Sequence, residues 1–378
     1  MTTTHQRRRI SATRRGGTAG LAVGLACAVL ALSLPAPAAA ADQVKLGNVQ
    51  KAMATLAKID GVVGAIGEVY VDGKRVGQGT AGSRLLDGKG GRIPPNSRYR
   101  VGSQTKLMTA TVLLQLVKEG KLGLDDKLAD VLPEMAQQDL VERADEITVQ
   151  QLIRHTSGIP DFFASGQFDD PFDFTTYYPP IDLVKASRKM PRAGEPGKGF
   201  SYSNTNYVLL GLIIEKVAGR TLPAELTRRL FAPLKMSRTY LPTRPPQGIK
   251  GPHGHGYYPD ATGKPRDVDR QNASLGGAAG GVISTAHDVS AFYRALNQGR
   301  LLPPDLQRAM GQPLPNLCGG TVAAVAGNGP GFLAVTFSSA DGRRQFAVST
   351  TLKVKNEQAM AIGEAINKAA EAVLCPGQ

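Results

Sequence analysis

The sequence predicts an α+β fold, an antiparallel sheet flanked by helices, and three observations carry that expectation. Strand-and-turn patterns stand near both ends of the chain: Val62 to Val71 is β-branched and apolar and runs into Asp72-Gly73, while Phe332 to Phe337 runs into Asp341-Gly342. Between them the pattern turns helical and loop-rich. Glu357 to Leu374 then reads as a long amphipathic helix. A sheet made from both chain ends is necessarily discontinuous, so the expected organisation is a sheet domain of residues 42–105 and 250–378 with a mainly helical domain, 106–249, between its halves.

Each element has its own justification. Residues 1–41 hold Arg7, Arg8, Arg9, Arg14 and Arg15, then an uncharged apolar run from Leu21 to Leu34, then small residues from Ala36 to Ala41 broken by Pro37. A basic segment, a short apolar core and an A-x-A exit describe an export signal cut after Ala41. The alternative, a membrane anchor, needs about 20 apolar residues, and this run has 14. The paired arginines leave the twin-arginine route open. Cys27 lacks a lipoprotein context, because Gly24 stands where a branched apolar residue is usual. A leading helix covers Val44 to Leu56, and Arg75 to Thr80 returns as the partner of the first strand. Tyr99 to Val101 is strand-like. Gln104 to Glu119 is apolar on too many sides to lie on a surface, so this helix is expected to be buried up to its stop at Gly120. Further helices are expected at Val149 to His155, Asn206 to Val217, Pro223 to Leu230 and Thr285 to Asn297, with proline-rich connectors at Tyr178 to Pro180 and Pro242 to Pro246. Gln345 to Leu352 is the last strand.

Composition excludes several function classes. The chain has 378 residues, 42% hydrophobic and 20% charged, which is ordinary for a globular protein and excludes low-complexity disorder. Three cysteines cannot staple so long a chain, so a disulfide-dense scaffold is excluded as well. The net charge of +14 raises nucleic acid or an anionic surface as partners, but without residues 1–41 it falls to +9, from 40 basic against 31 acidic side chains. No arginine-rich or aromatic-interleaved basic motif remains, so anionic cell-wall polymers are the electrostatic partner to consider and nucleic acid is not. A solvated basic surface with no partner is the plainer alternative. Cys318 and Cys375 are then an even pair in an oxidising compartment, either one disulfide or two buried thiols.

The chemistry begins at Ser103-Gln104-Thr105-Lys106, at the start of the buried helix. Positions i and i+3 share a helix face, so the amine of Lys106 can approach the hydroxyl of Ser103. A serine hydroxyl becomes a nucleophile when a neighbouring base takes its proton, and burial would lower the pKa of Lys106 enough to serve. The helix start also offers N–H groups to a developing oxyanion. An N-cap serine beside a solvated lysine would look the same in sequence. The second cluster is Tyr202-Ser203-Asn204, just before another helix. A tyrosine near a lysine can act as acid and base toward a leaving group, and Asn204 can orient a substrate or the lysine. An Asx turn with a helix cap is the alternative reading of such a triplet.

Val101 to Lys106, Leu152 to Asp161 (LIRHTSGIPD), Phe200 to Gly211 (FSYSNTNYVLLG) and Gly276 to Phe292 (GGAAGGVISTAHDVSAF) together resemble blocks of the penicillin-recognising serine hydrolases, in the same order over most of the chain after residue 41. The nearest groups are the class C β-lactamases and the secreted serine D-Ala-D-Ala carboxypeptidases. The resemblance implies Ser103 as nucleophile, Lys106 as activating base, and Tyr202 with Asn204 as the second motif. It also implies an antiparallel sheet with helices on both faces and an all-helical insert. The third family motif departs. Members carry Lys-Thr-Gly, or a His variant, on a strand that fixes the substrate carboxylate. Anchoring on Cys318-Gly319 and Pro330-Gly331-Phe332 puts Val325, Ala326 and Gly327 in its place, with neither polar side chain. Gly327 and Asn328 keep backbone groups that can hold an acyl carbonyl, and the Asn328 N–H is the candidate second oxyanion donor beside that of Ser103. Recognition of a free carboxylate is what this departure removes.

Histidine supports no rival mechanism. Of the five, His5 lies in the leader and His155 belongs to the HTSG block, where it shapes a turn rather than catalyses. His253 and His255 suggest a metal pair, but no third ligand is nearby in sequence, so they read as a loop. His287 takes an ordinary position at a helix start. Ser103 also lacks the G-x-S-x-G elbow of the α/β-hydrolases. The expectation is therefore a secreted or cell-wall-associated serine hydrolase forming an acyl-enzyme on Ser103, with no cofactor, no metal and no stable membrane span. Its substrate would be a small molecule or peptidoglycan-derived: a D-alanyl peptide, a β-lactam or an ester. A wall-binding protein on a retired hydrolase scaffold is the reading from another class.

Overall fold

A computed structural model describes residues 45–311 and 316–377; the expected export signal lies outside the described residues. Alternating burial builds its centre. On Val62–Val71, Ala65 and Val69 face one layer and Ile66 the other, and on Phe332–Ser339 and Arg344–Leu352 the same alternation sends Val335, Phe337, Phe346 and Val348 one way and Ala334 and Ala347 the other. A strand buried on both faces needs cover on both, and helices supply it. Val49–Leu56 and Ala359–Leu374 pack the first face through Val49, Met53, Leu56, Ile362, Ile366 and Val373. Ala286–Asn297 covers the other through Val289, Phe292 and Leu296.

The sheet has five strands in the order Lys74–Gly82, Val62–Val71, Arg344–Leu352, Phe332–Ser339, Val322–Gly329, all antiparallel. The expected α+β class with an antiparallel sheet from both chain ends is present. Val62–Val71 pairs with Arg344–Leu352 across Ala65↔Thr350 and Val69↔Phe346, so the early and late parts of the chain meet in the middle of the sheet. The reading missed Val322–Gly329 as a pattern, and it placed a connector at Tyr178 to Pro180 where a helix, Pro180–Arg188, begins with its proline at the first turn. Proline there costs nothing, because that N–H would have no helical partner.

The buried helix is Thr105–Lys118, preceded by a single 3₁₀ turn, Gly102–Gln104. It is enclosed by the Asn204–Ala218 helix, which starts two residues earlier than expected, and by Ala273–Gly280. Its polar side chains are matched locally: Thr109 donates to the Ala278 carbonyl at 2.8 Å and Thr105 Oγ1 accepts the Val282 N–H at 3.1 Å. Among the described residues no helix is long and apolar enough to cross a membrane.

Cys318 and Cys375 form a disulfide with Cα atoms 5.7 Å apart, closing 57 residues of chain and tying the approach to the edge strand to the end of the last helix. By loop-closure entropy a cross-link of this span removes roughly 4 kcal/mol of denatured-state freedom. Replacing both cysteines by serine is expected to lower the urea midpoint and, because the freed denatured state exposes more surface, to raise the m-value. A midpoint equal to that of the parent protein would show that the cross-link contributes no stability.

Candidate active site

Two glycines set the position of the candidate nucleophile. Gly102 holds φ +55°, and a Cβ there would stand 2.7 Å from the Gly327 carbonyl carbon and 2.8 Å from the Asn328 nitrogen. A Cβ on Gly327 would in turn stand 2.1 Å from the Val101 oxygen and 2.6 Å from the Ser103 nitrogen. Backbone therefore lies on backbone where the Gly102–Gln104 turn meets the edge strand, a contact that only glycine on both sides permits. It brings the Ser103 N–H and the Asn328 stretch to the same wall of a cleft.

Ser103 Oγ lies 2.8 Å from Tyr202 Oη and 3.2 Å from Lys106 Nζ, so the three groups read from sequence are in direct contact across 99 residues of chain. Lys106 is 5% exposed. Its amine also donates to Asn204 Oδ1 at 2.7 Å and to the Ala279 carbonyl at 2.8 Å. Burial pushes the Lys106 pKa down to about 7, with the Asp161 charge opposing. The neutral amine has two protons for Asn204 and Ala279 and a lone pair left over, and the neighbour that remains is the Ser103 hydroxyl. Tyr202 is 44% exposed, yet its hydroxyl is the end held against Ser103; burial of the phenol raises its pKa and keeps it protonated. Near neutral pH an unprotonated amine and a protonated phenol can therefore both stand against the Ser103 hydroxyl.

The Asn204 side chain is committed to the protein rather than free for substrate. Its amide nitrogen donates to Asp161 Oδ2 at 2.7 Å while its oxygen receives Lys106. Asp161 ends the LIRHTSGIPD block, and 43 residues separate it from its partner. The Ala279 carbonyl was likewise invisible, since any residue carries one. His155 sits at φ +55° with Nδ1 accepting the Ser203 N–H at 3.1 Å, and its ring stacks on Tyr202 at 4.6 Å between centroids. Burial holds its pKa down to about 4, so it is neutral and supports the tyrosine, as its turn-shaping reading expects.

The cleft encloses about 730 Å³. Gly327 is buried in its wall behind the Ser103 turn, whereas Asn328, Gly329 and Pro330 line it. Its charge is opposite to that of the chain: Asp161, Asp169, Asp170, Asp173 and Glu357 line it against one basic residue, Arg100, whose guanidinium is spent on the Asp269 carbonyl at 2.6 Å. Val325 and Ala326 bring no cation to the edge strand. His253 and His255 lie outside this cleft, and the third potential ligand that the sequence did not reveal is Asp269.

The chain is similar to known proteins. Residues 49–335 match the Beta-lactamase family model. Penicillin-binding protein 4 of Amycolatopsis lactamdurans is 32% identical over 237 residues, 62% of this chain and 59% of that protein. Penicillin-binding protein 4* of Bacillus subtilis is 31% identical over 218 residues, 54% of this chain and 46% of that one, so the chain spans only about half the length of these relatives. Among solved structures, a D-stereospecific amidohydrolase from Streptomyces superposes with a TM-score of 0.72 at 30% identity, over 87% of this chain and 98% of the other. D-amino acid amidase from Ochrobactrum anthropi shares the fold at 23% identity and a TM-score of 0.71, over 86% and 97%.

Asp161 acts on the amine through Asn204 and through its charge. Asp161→Asn is expected to lower the pH at which Lys106 loses its proton, because the removed carboxylate favoured the ammonium. The acid limb of the rate profile, followed with a chromogenic ester, should move below pH 7; a limb that stays in place or moves up contradicts the coupling.

Proposed function

Because the chain belongs to the Beta-lactamase family, and is a serine hydrolase, we propose that it acts by acyl transfer through Ser103. The observation that carries this reading is the direct contact of the Ser103 hydroxyl with a buried amine of pKa about 7 on one side and a protonated phenol on the other. Lys106 takes the Ser103 proton as Oγ attacks the substrate carbonyl. The tetrahedral oxyanion lies between the Ser103 and Asn328 N–H groups, preorganised where Gly102 and Gly327 touch. Tyr202 passes a proton to the departing amine or alcohol and regains one from Lys106. The acyl ester on Ser103 is then cleaved by water through the same groups in reverse, returning free serine and a carboxylic acid.

Charge narrows the substrate. A D-Ala-D-Ala carboxypeptidase or β-lactamase must receive a free carboxylate beside the scissile bond, whereas this cleft offers carboxylates and no cation on its edge strand. Amides and esters of neutral or amine-bearing acyl groups suit it better, which favours the esterase alternative and agrees with the amidohydrolase named at 30% identity. D configuration enters the proposal through that relative. A non-catalytic wall-binding role needs no intact hydroxyl–amine–phenol contact, and the anionic cleft would repel anionic polymers. Export fits the Cys318–Cys375 disulfide.

The protein is expected to hydrolyse D-alanyl amides and p-nitrophenyl esters with kcat/KM rising through a midpoint near pH 7, since only the neutral amine accepts a proton, and without a fall until the phenol ionises above pH 10. Peptides ending in a free D-Ala carboxylate should react more slowly than their amides. Ser103→Ala should lose on the order of 10³-fold or more, and mass spectrometry should find the acyl group of the ester on the peptide that carries Ser103. Turnover undiminished in Ser103→Ala would remove the nucleophile assignment, and preference for the free carboxylate would remove the substrate class.

A further inference from the structure

Outside the cleft the chain assembles one other chemically capable cluster among the described residues. His253 and His255 flank Gly254, and the Tyr257–Pro259/Pro265–Asp267 hairpin, closed by the Val268 N–H on the Gly256 carbonyl at 3.0 Å, brings Asp269 back beside them. Ligand atoms of His253, His255 and Asp269 all lie within 4.8 Å of one another. The imidazoles stack 5.1 Å apart, inclined by 12°.

The hydrogen bonding of His253 is what points to a cation. Its Nδ1 lies 2.5 Å from the Gly251 carbonyl and its Nε2 2.8 Å from Asp269 Oδ1. A carbonyl and a carboxylate are both acceptors, and a neutral imidazole has one proton. With that proton on Nδ1, the Nε2 lone pair faces a carboxylate lone pair, an opposition relieved either by a second ring proton or by a metal ion. His255 has the same polarity: its Nδ1 lies 2.7 Å from Asp267 Oδ2, so a proton there leaves Nε2 free to ligate. Both rings therefore carry an acceptor behind Nδ1, the outer arrangement that fixes the tautomer of metal-bound histidine. Arg84 and Arg100 stand close by, but each is turned to a carbonyl, of His253 at 3.3 Å and of Asp269 at 2.6 Å, and Asp267 and Asp269 balance their charge. The His253 side chain is 8% exposed and that of Asp269 20%, so the pocket is enclosed on one side and open to ions on the other.

We propose that His253, His255 and Asp269 bind a divalent first-row transition ion, zinc being the ion that suits two imidazoles and one carboxylate with water in the open position. The ion neutralises the opposed lone pairs and clamps the foot of the hairpin. Its place is structural with respect to hydrolysis. Tyr258 on the hairpin and Gln271 just beyond it line the cleft, and Gln271 donates to the Pro330 carbonyl on the cleft wall, so the clamp steadies one side of the substrate space. The proposal does not depend on the acyl-transfer reading.

The test uses untagged protein stripped with a chelator and dialysed. Titration with zinc chloride, followed by calorimetry and by metal analysis after desalting, is expected to give one zinc per chain and a higher melting temperature. His255→Ala and Asp269→Asn should each weaken binding on the order of 10- to 100-fold while keeping the circular dichroism of the parent, and Ser103→Ala should bind zinc as the parent does. Stoichiometric zinc that survives in both His255→Ala and Asp269→Asn would overturn the assignment. So would an absence of uptake with nitrogen chemical shifts showing His253 protonated on both ring nitrogens at pH 8, which would replace the ion with a plain imidazolium–carboxylate pair.

Discussion

The amine of Lys106 is out of water, and the site depends on that fact. An ammonium in bulk solvent would hold its proton far above neutral pH and would be useless to a serine. Here burial lowers its pKa to about 7, and the Asn204 oxygen and the Ala279 carbonyl hold the amine in place. The surrounding fold reads as the means of enforcing this. A helix apolar on all sides carries the lysine into the core, the Asn204–Ala218 helix presents an amide to it, and Asp161 fixes that amide from behind. Desolvation and the compensating carboxylate pull in opposite directions, and burial wins by a margin that leaves the base half-ionised near neutrality.

The second constraint is steric. Serine, turn and edge strand approach one another through Gly102 and Gly327, with no side chain between the two backbones. Val325 and Ala326 precede Gly327 on the edge strand, so this contact asks nothing polar of the residues before it. Sterics fix the glycine, while the neighbouring positions stay open to other side chains.

What was legible in sequence follows the range of the interactions. Ser103 and Lys106 are one helical turn apart, and the Val62–Val71 hairpin is local, so pattern and spacing sufficed. Tyr202 and Asn204 needed the ordered blocks of the family resemblance, because nothing in spacing alone brings residues 99 apart together. Asp161 beside Asn204 and the Ala279 carbonyl stayed hidden, since each meets its partner across the fold, and Asp269 beside His253 stayed hidden because only the intervening hairpin brings them together. Val322–Gly329 escaped the strand pattern because six of its eight residues are alanine, glycine or asparagine, which an edge strand tolerates and propensity does not mark. Pro180 read as an interruption because proline both ends and starts helices, and the surrounding pattern was too short to say which.

The central pairing of Val62–Val71 with Arg344–Leu352 has a consequence for biosynthesis. Nucleophile, phenol, lysine-holding carbonyl and edge strand come from residues 103, 202, 279 and 327, and the strand that seats the sheet around them comes later still. A polypeptide made only as far as the last of these groups has no seat for them. The full constellation therefore assembles only once residues 344–352 are in place, and a shorter nascent chain can hold Ser103 beside Lys106 but lacks the sheet that brings phenol and edge strand against them.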